Sequence, residues 1–300
     1  MRPRSAGVLL AVATTIWMAS PASAYVRYKT AGGKGFFWDK TTIPITEYPN
    51  DFTQPTMTSD QLIAAATGAA AAWSSQTNPC TYLDLVVSAS TAPTPVPAND
   101  GHNTLVFHSA NWCQLAPDGT CEIDYDSSAL AVTTDTANRT SGQIYDSDIE
   151  INALDYTWAD VDPDGGPSPD MDLQNALTHE MGHLIGLDHT CYDPSTGAAQ
   201  PYDNAGQPVP VCPASPEVQA TTMYPSADPG DTQKRTLAPD DQAGVCGIYS
   251  VDDPPSSGGC SSCAVASAPR GGLLWAVLAG LGGGAVLLAR ARRPRRGPRR

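Results

Sequence analysis

The sequence predicts an α+β domain, a mixed twisted sheet with one long helix, a second helix that carries chemistry and a C-terminal helix. Three observations predict it: a capped Ala-rich helix early in the chain, a series of short β-branched runs in the middle, and two late helices with clear start signals. Thr41 to Glu47 reads as a strand. Thr58 and Gln61 form a capping-box pattern that opens a helix through Leu62, Ala66, Ala69 and Trp73. Tyr82 to Val87, Thr104 to His108, Leu130 to Thr134 and Ile149 to Ile151 read as further strands. Asp172 is the N-cap of a helix from Leu173 to Ile185. Its residues Leu173, Leu177, Met181 and Leu184 share one face, opposite His179 and His183. A last helix starts at Pro239, which suits the first turn, and runs to Tyr249.

The stretch from His179 to His189 holds three of the five histidines in the chain. On a helix, His179 and His183 lie one turn apart on the same face, so their imidazoles can reach one metal ion. Glu180 sits beside them without occupying the metal. Gly186 can end the helix with φ > 0, and the bend brings His189 round as third ligand. Three neutral nitrogen ligands and one open position suit a catalytic Zn²⁺. The competing reading is an ordinary buried helix with incidental histidines, which the added Gly and third His at fixed offsets disfavour.

These residues resemble the metzincin zinc endopeptidases, whose extended motif is H-E-x-x-H-x-x-G-x-x-H. Downstream, Thr221-Thr222-Met223-Tyr224-Pro225 resembles the family's Met-turn. Thr190 after the third histidine and Tyr224 directly after the methionine are similar to the matrixin branch. The resemblance extends to Asp148–Asn152 and to Thr236–Val245 and covers most of 27–250, tightly from about 145 onward. It implies a zinc-dependent endopeptidase with His179, His183 and His189 as ligands, Glu180 as general base, and Tyr224 and Pro225 lining the pocket for the substrate residue after the scissile bond. Protein or peptide substrates would lie extended along the edge strand near Ile151. Two departures stand out. No cysteine-switch propeptide precedes the domain, so latency by a Cys–zinc bond is not supported. His102 and His108 precede the region where animal matrixins hold a structural zinc, so one catalytic zinc is expected and those two histidines are read as surface or core residues.

The ends of the 300-residue chain differ from its body. Residues 1–24 combine Arg2 and Arg4, an apolar run and Ala22-Ser23-Ala24, the pattern of a secretory signal. Residues 25–250 form the expected protease domain, 251–271 a Pro/Ser/Gly/Cys linker, 272–289 an apolar transmembrane segment and 290–300 an Arg-rich cytoplasmic tail. Cys260-Ser-Ser-Cys263, the apolar span and the arginines resemble the MYXO-CTERM sorting tail of bacterial surface proteins. That resemblance implies an exported protein at the cell surface or outside it, attached through the span or released by a sorting protease.

Within 25–250, seven Lys and Arg stand against 29 Asp and Glu, a formal −22, whereas the whole chain reads −14 because of the tail arginines. So acidic a body argues against nucleic acid as a partner. Eight cysteines in an exported chain predict disulfides. Cys191 and Cys212 flank an insertion and pair first; Cys80, Cys113, Cys121 and Cys246 stay unassigned. A cysteine zinc site is disfavoured, since no two of those six have Cys-x-x-Cys spacing. Asp160, Asp162 and Asp164, followed by Gly165, look like the start of a Ca²⁺ loop, although Met171 stands where the final acidic ligand belongs. The other reading is an acidic surface loop. For function, the alternative to a protease is a surface adhesion or scaffold protein that keeps a zinc fold without turnover, which leaves Glu180 unexplained.

Overall fold

The computed structural model describes residues 25–50, 56–90, 97–116, 120–164, 168–252 and 284–289. In chain order it comprises β1 (Val26–Arg27), β2 (Phe37–Trp38), β3 (Ile45–Asn50), α1 (Ser59–Trp73), β4 (Leu85–Val87), β5 (Asn103–His108), β6 (Cys113–Leu115), β7 (Cys121–Asp124), β8 (Ala129–Ala137) and β9 (Gln143–Asn152). There follow β10 (Trp158–Ala159), β11 (Met171–Asp172), α2 (Leu173–Leu184), β12 (Leu187–Asp188), α3 (Pro216–Gln219), β13 (Ser226–Ala227), α4 (Pro239–Ile248) and β14 (Gly284–Ala289). The architecture is α+β in the general sense, with few helices and one mixed sheet ordered β13-β14-β8-β9-β5-β3-β4. Strands β4, β3, β5 and β9 run parallel, while β8 is antiparallel to β9.

Parallel neighbours need a crossover, and α1 supplies it between β3 and β4. Its start is the predicted capping box: Gln61 N–H donates to Thr58 Oγ1 at 3.3 Å and Thr58 N–H to Gln61 Oε1 at 2.9 Å. Alanines at 65, 66, 69 and 70 are buried, which lets α1 and α2 approach closely. Between them the indole of Trp73 donates to the Thr178 carbonyl at 2.8 Å, and Trp38 donates to the Leu184 carbonyl at 2.7 Å. Leu105, Ile149, Ile151, Leu177 and Met181 complete the core that fixes α2 against the sheet.

Several elements differ from their sequence reading. The strand expected from Thr41 is β3 and begins at Ile45, because Pro44 lacks an N–H for the ladder; Lys40–Thr42 is instead a 3₁₀ turn capped by Asp39. Strand β9 reaches back to Gln143, beyond the expected Ile149–Ile151, and lies inside the sheet between β8 and β5, so Ile151 is not on the edge strand expected to carry substrate. Its buried Asp146, Ser147 and Asp148 mask the strand signal, but their partners lie far away in sequence: Thr104 N–H donates to Asp148 at 2.9 Å and Ser147 Oγ to Asp135 at 2.7 Å. Helix α2 ends at Leu184 and α4 at Ile248, each one residue before the expected end.

Cys191 pairs with Cys212 as expected, and the structure adds Cys80–Cys246 and Cys113–Cys121. Three disulfides suit an oxidising compartment. Residues 1–24, 253–283 (with Cys260 and Cys263) and 290–300 lie outside the described residues. Among the described residues no helix is long and apolar enough to cross a membrane. The described end of the expected span, Gly284–Ala289, is a strand hydrogen-bonded to β8.

Candidate metal centre

Helix α2 is aimed by its cap. Asp172 accepts the Asn175 N–H at 2.8 Å, and its carboxylate also holds Arg235, whose Nε lies 2.8 Å away. One turn apart on this helix, His179 and His183 are both fully buried. After α2, Gly186 adopts φ +94°, and a Cβ there would stand 2.6 Å from the Phe36 carbonyl oxygen. Only glycine makes this turn without strain. Antiparallel pairing of β12 with β1 then presents His189, whose N–H donates to Asp188 at 2.7 Å.

The three ring nitrogens converge. Nε2 of His179, His183 and His189 lie 3.0 to 3.2 Å from one another. Nδ1 of His179 is 2.6 Å from the Thr222 carbonyl, and Nδ1 of His183 is 2.9 Å from the Leu187 carbonyl. A carbonyl oxygen only accepts, so both Nδ1 atoms carry the proton and both Nε2 atoms present lone pairs. Two lone pairs 3.1 Å apart have no proton to share. A cation between them resolves the contact, and bonds of about 2.0 Å in a tetrahedral site would set nitrogens about 3.3 Å apart. Burial holds all three imidazoles neutral, taking His183 down to about 3 and the other two well below the usual histidine value. The donor set fits a metal ion, and His179, His183 and His189 could hold one.

Against the histidine helix lies the turn Thr221–Pro225, the stretch expected to be a Met-turn. Met223 is buried against Gly182, where a Cβ would come within 2.2 Å of its Sδ. Asp241 of α4 fixes this turn, accepting Thr222 N–H at 2.7 Å and Met223 N–H at 3.3 Å. Thr190 N–H donates to the Met223 carbonyl at 3.2 Å, which ties the third histidine to the same turn.

Glu180 is fully buried, and its Oε2 accepts the Thr133 hydroxyl of β8 at 2.6 Å. Its Oε1 has no hydrogen-bond partner among the described residues. Burial pushes this carboxyl up to about 8, opposed by Thr133 and by the ammonium of Lys234. Lys234 is itself buried; its Nζ donates to the Tyr224 carbonyl and its N–H to Asn175 Oδ1 at 2.7 Å. Burial lowers Lys234 to about 7 against the attraction of Glu180 and Asp241.

Tyr224 and Pro225 are buried beside Met223. The acidic loop is arranged differently from a shared ion site. Asp160 pairs with Arg235 at 2.8 Å, and Asp162 accepts the Asp164 N–H at 3.0 Å. Among the described residues these three carboxylates do not gather closely enough to share one cation, because Arg235 draws Asp160 toward Asp172. His108 pairs with buried Glu150 at 2.8 Å and His102 with Asp100 at 3.2 Å.

Thr133, Lys234 and Asp241 also contact this candidate site, and the sequence does not single them out. Thr133 and Lys234 reach the site only through tertiary packing and carry no local signal. Asp241 falls inside the Thr236–Val245 stretch, so its position was marked but not its bond to the Met-turn. No protein-family model and no curated protein matches the chain.

Proposed function

We propose that this chain is an exported, matrixin-like zinc endopeptidase, with His179, His183 and His189 holding the metal and Glu180 as general base. The observation that carries this reading is the convergence of three Nε2 atoms next to buried Glu180, which follows His179 in α2 and whose Oε1 has no hydrogen-bond partner among the described residues. When bound, zinc supplies a Lewis acid that polarises a carbonyl and lowers the pKa of a water toward 7. Glu180 keeps one oxygen on Thr133 and has the other free to take a proton from that water and deliver it to the leaving amine. Glu180 is fully buried and anchored by Thr133, which would hold the carboxylate in place between the two steps. A metal held only for structure needs no buried base beside it.

The test is metal content together with casein cleavage by the purified full-length chain, with and without a zinc chelator. One zinc per chain and chelator-sensitive cleavage are expected. Glu180→Ala should keep the zinc and lose about a thousandfold in turnover, within the usual range for removing a general base. A variant that cleaves as well as wild type would refute this role. Zinc with no cleavage of any substrate would return the scaffold reading.

A further inference from the structure

Strand β14 shows where an extended chain seats on this domain. It runs antiparallel to the β8 edge, with Val286 level with Val132 and Leu287 with Ala131. On its other side it runs parallel to β13, with Leu288 level with Ser226 and Ala289 with Ala227. The backbone groups of both edges are therefore satisfied by one extended segment lying between them. Beyond the point where β13 ends, a cavity of about 310 Å³ opens, lined by Tyr224, Ser226, Ala227, Asp228, Asp231 and Gln233 among others. Tyr224 places it one residue from the Met-turn methionine.

The lining is acidic. Asp231 is committed in part, since its Oδ2 accepts the Asp228 N–H at 2.8 Å and buried Lys234 attracts its charge. Arg235 is taken by Asp172 and Asp160. The Asp228 side chain accepts no hydrogen bond from the described residues and is half-buried at the cavity wall. Asp228 directly follows Ala227, the last residue of β13 that pairs with the strand.

We infer that the groove between β8 and β13 selects an extended peptide with a lysine or arginine side chain at this cavity, and that Asp228 is the residue that reads it. The inference rests on the endopeptidase reading and names the class of substrate that site would prefer. A basic residue after the paired stretch would meet the acidic lining of this cavity. The chain's own segment has this character, since Arg290 follows Gly284–Ala289 in the sequence. A cation entering the cavity meets one uncommitted carboxylate in partial burial, where a charge pair is screened less than at the open surface.

The test uses binding rather than turnover. Zinc-loaded, full-length Glu180→Ala is titrated with three labelled, C-terminally amidated peptides, Gly-Ala-Val-Leu-Leu-Ala followed by Arg, Leu or Glu, and fluorescence anisotropy is read. The chain's own strand competes equally with all three, so their order is unaffected. The Arg peptide should bind about tenfold tighter than the Glu peptide, with Leu between them. Adding Asp228→Asn should collapse that order while leaving the Leu peptide unchanged. Equal affinities, or an order that survives Asp228→Asn, would overturn the assignment. If the preference holds while the Glu180-intact, zinc-loaded chain cleaves neither casein nor any of the three, the groove assignment stands and the endopeptidase reading falls.

Discussion

Gly182 carries more of the site than its size suggests. It sits between the two helical histidines, and a Cβ there would lie 2.2 Å from Met223 Sδ and 2.9 Å from Trp73 Cζ2. Neither neighbour has space to retreat, since both are buried. Gly182→Ala is therefore expected to cost about 1–3 kcal/mol by overpacking, despite the better helix propensity of alanine. Thermal unfolding of the metal-free chain reads that loss, and zinc titration should show weakened binding as α2 is pushed off the turn. An unchanged melting temperature would mean Met223 repacks freely. The histidine spacing and Glu180 were readable at this scale because one helical turn determines their relation. Thr133 was not, since its 2.6 Å bond to Glu180 joins residues 47 apart.

Asp172 shows the same division for an element. As an N-cap it was legible from its place before Leu173, and it does accept the Asn175 N–H. Its second role, holding Arg235 and the Val161 N–H at 3.0 Å, appears only in three dimensions. Asp172→Ala should thus exceed the ordinary loss of about 1 kcal/mol for a cap, reaching roughly 3 kcal/mol because a part-buried guanidinium loses its main partner. Chemical denaturation of Asp172→Ala beside Thr58→Ala separates the two effects. Thr58 has only the cap, so its loss should stay near 1 kcal/mol. If both variants lose the same amount, Arg235 contributes nothing through Asp172.

Across the whole molecule, burial of carboxylates makes stability depend on pH. Asp135 and Asp148 are both raised to about 8 by burial, and Glu47 lies well above its usual range for the same reason. An acid with a raised pKa in the folded state holds its proton there while the unfolded chain releases it. Its contribution is complete below the unfolded value and lost as pH rises through the folded one. The neutral histidines of the metal-free site act in the opposite sense, but only below about pH 6.5, where the unfolded chain protonates them. Lys234, lowered to about 7, opposes the loss with a single group. The metal-free chain should therefore lose stability between about pH 6.5 and 8, measured as a falling melting temperature in the presence of chelator. A melting temperature that rises across this window would show that these carboxylates are ionised in the folded protein.

The sequence by itself determined the elements whose causes are local. The capping box of α1, the two histidines and the glutamate of α2, the turn at Gly186 and the start of α4 at Pro239 each follow from residues within a few positions. It also marked Cys191 with Cys212, since the two bracket one insertion. Tertiary structure alone decided what depends on distant partners: the length of β9, whose Asp148 and Ser147 bond Thr104 and Asp135, and the pairings Cys80–Cys246 and Cys113–Cys121. It also set the tautomers of His179 and His183 through carbonyls of Thr222 and Leu187. The separation is physical. Helix caps and turns are closed by neighbours along the chain, whereas buried polar groups are satisfied by whatever the fold brings to them.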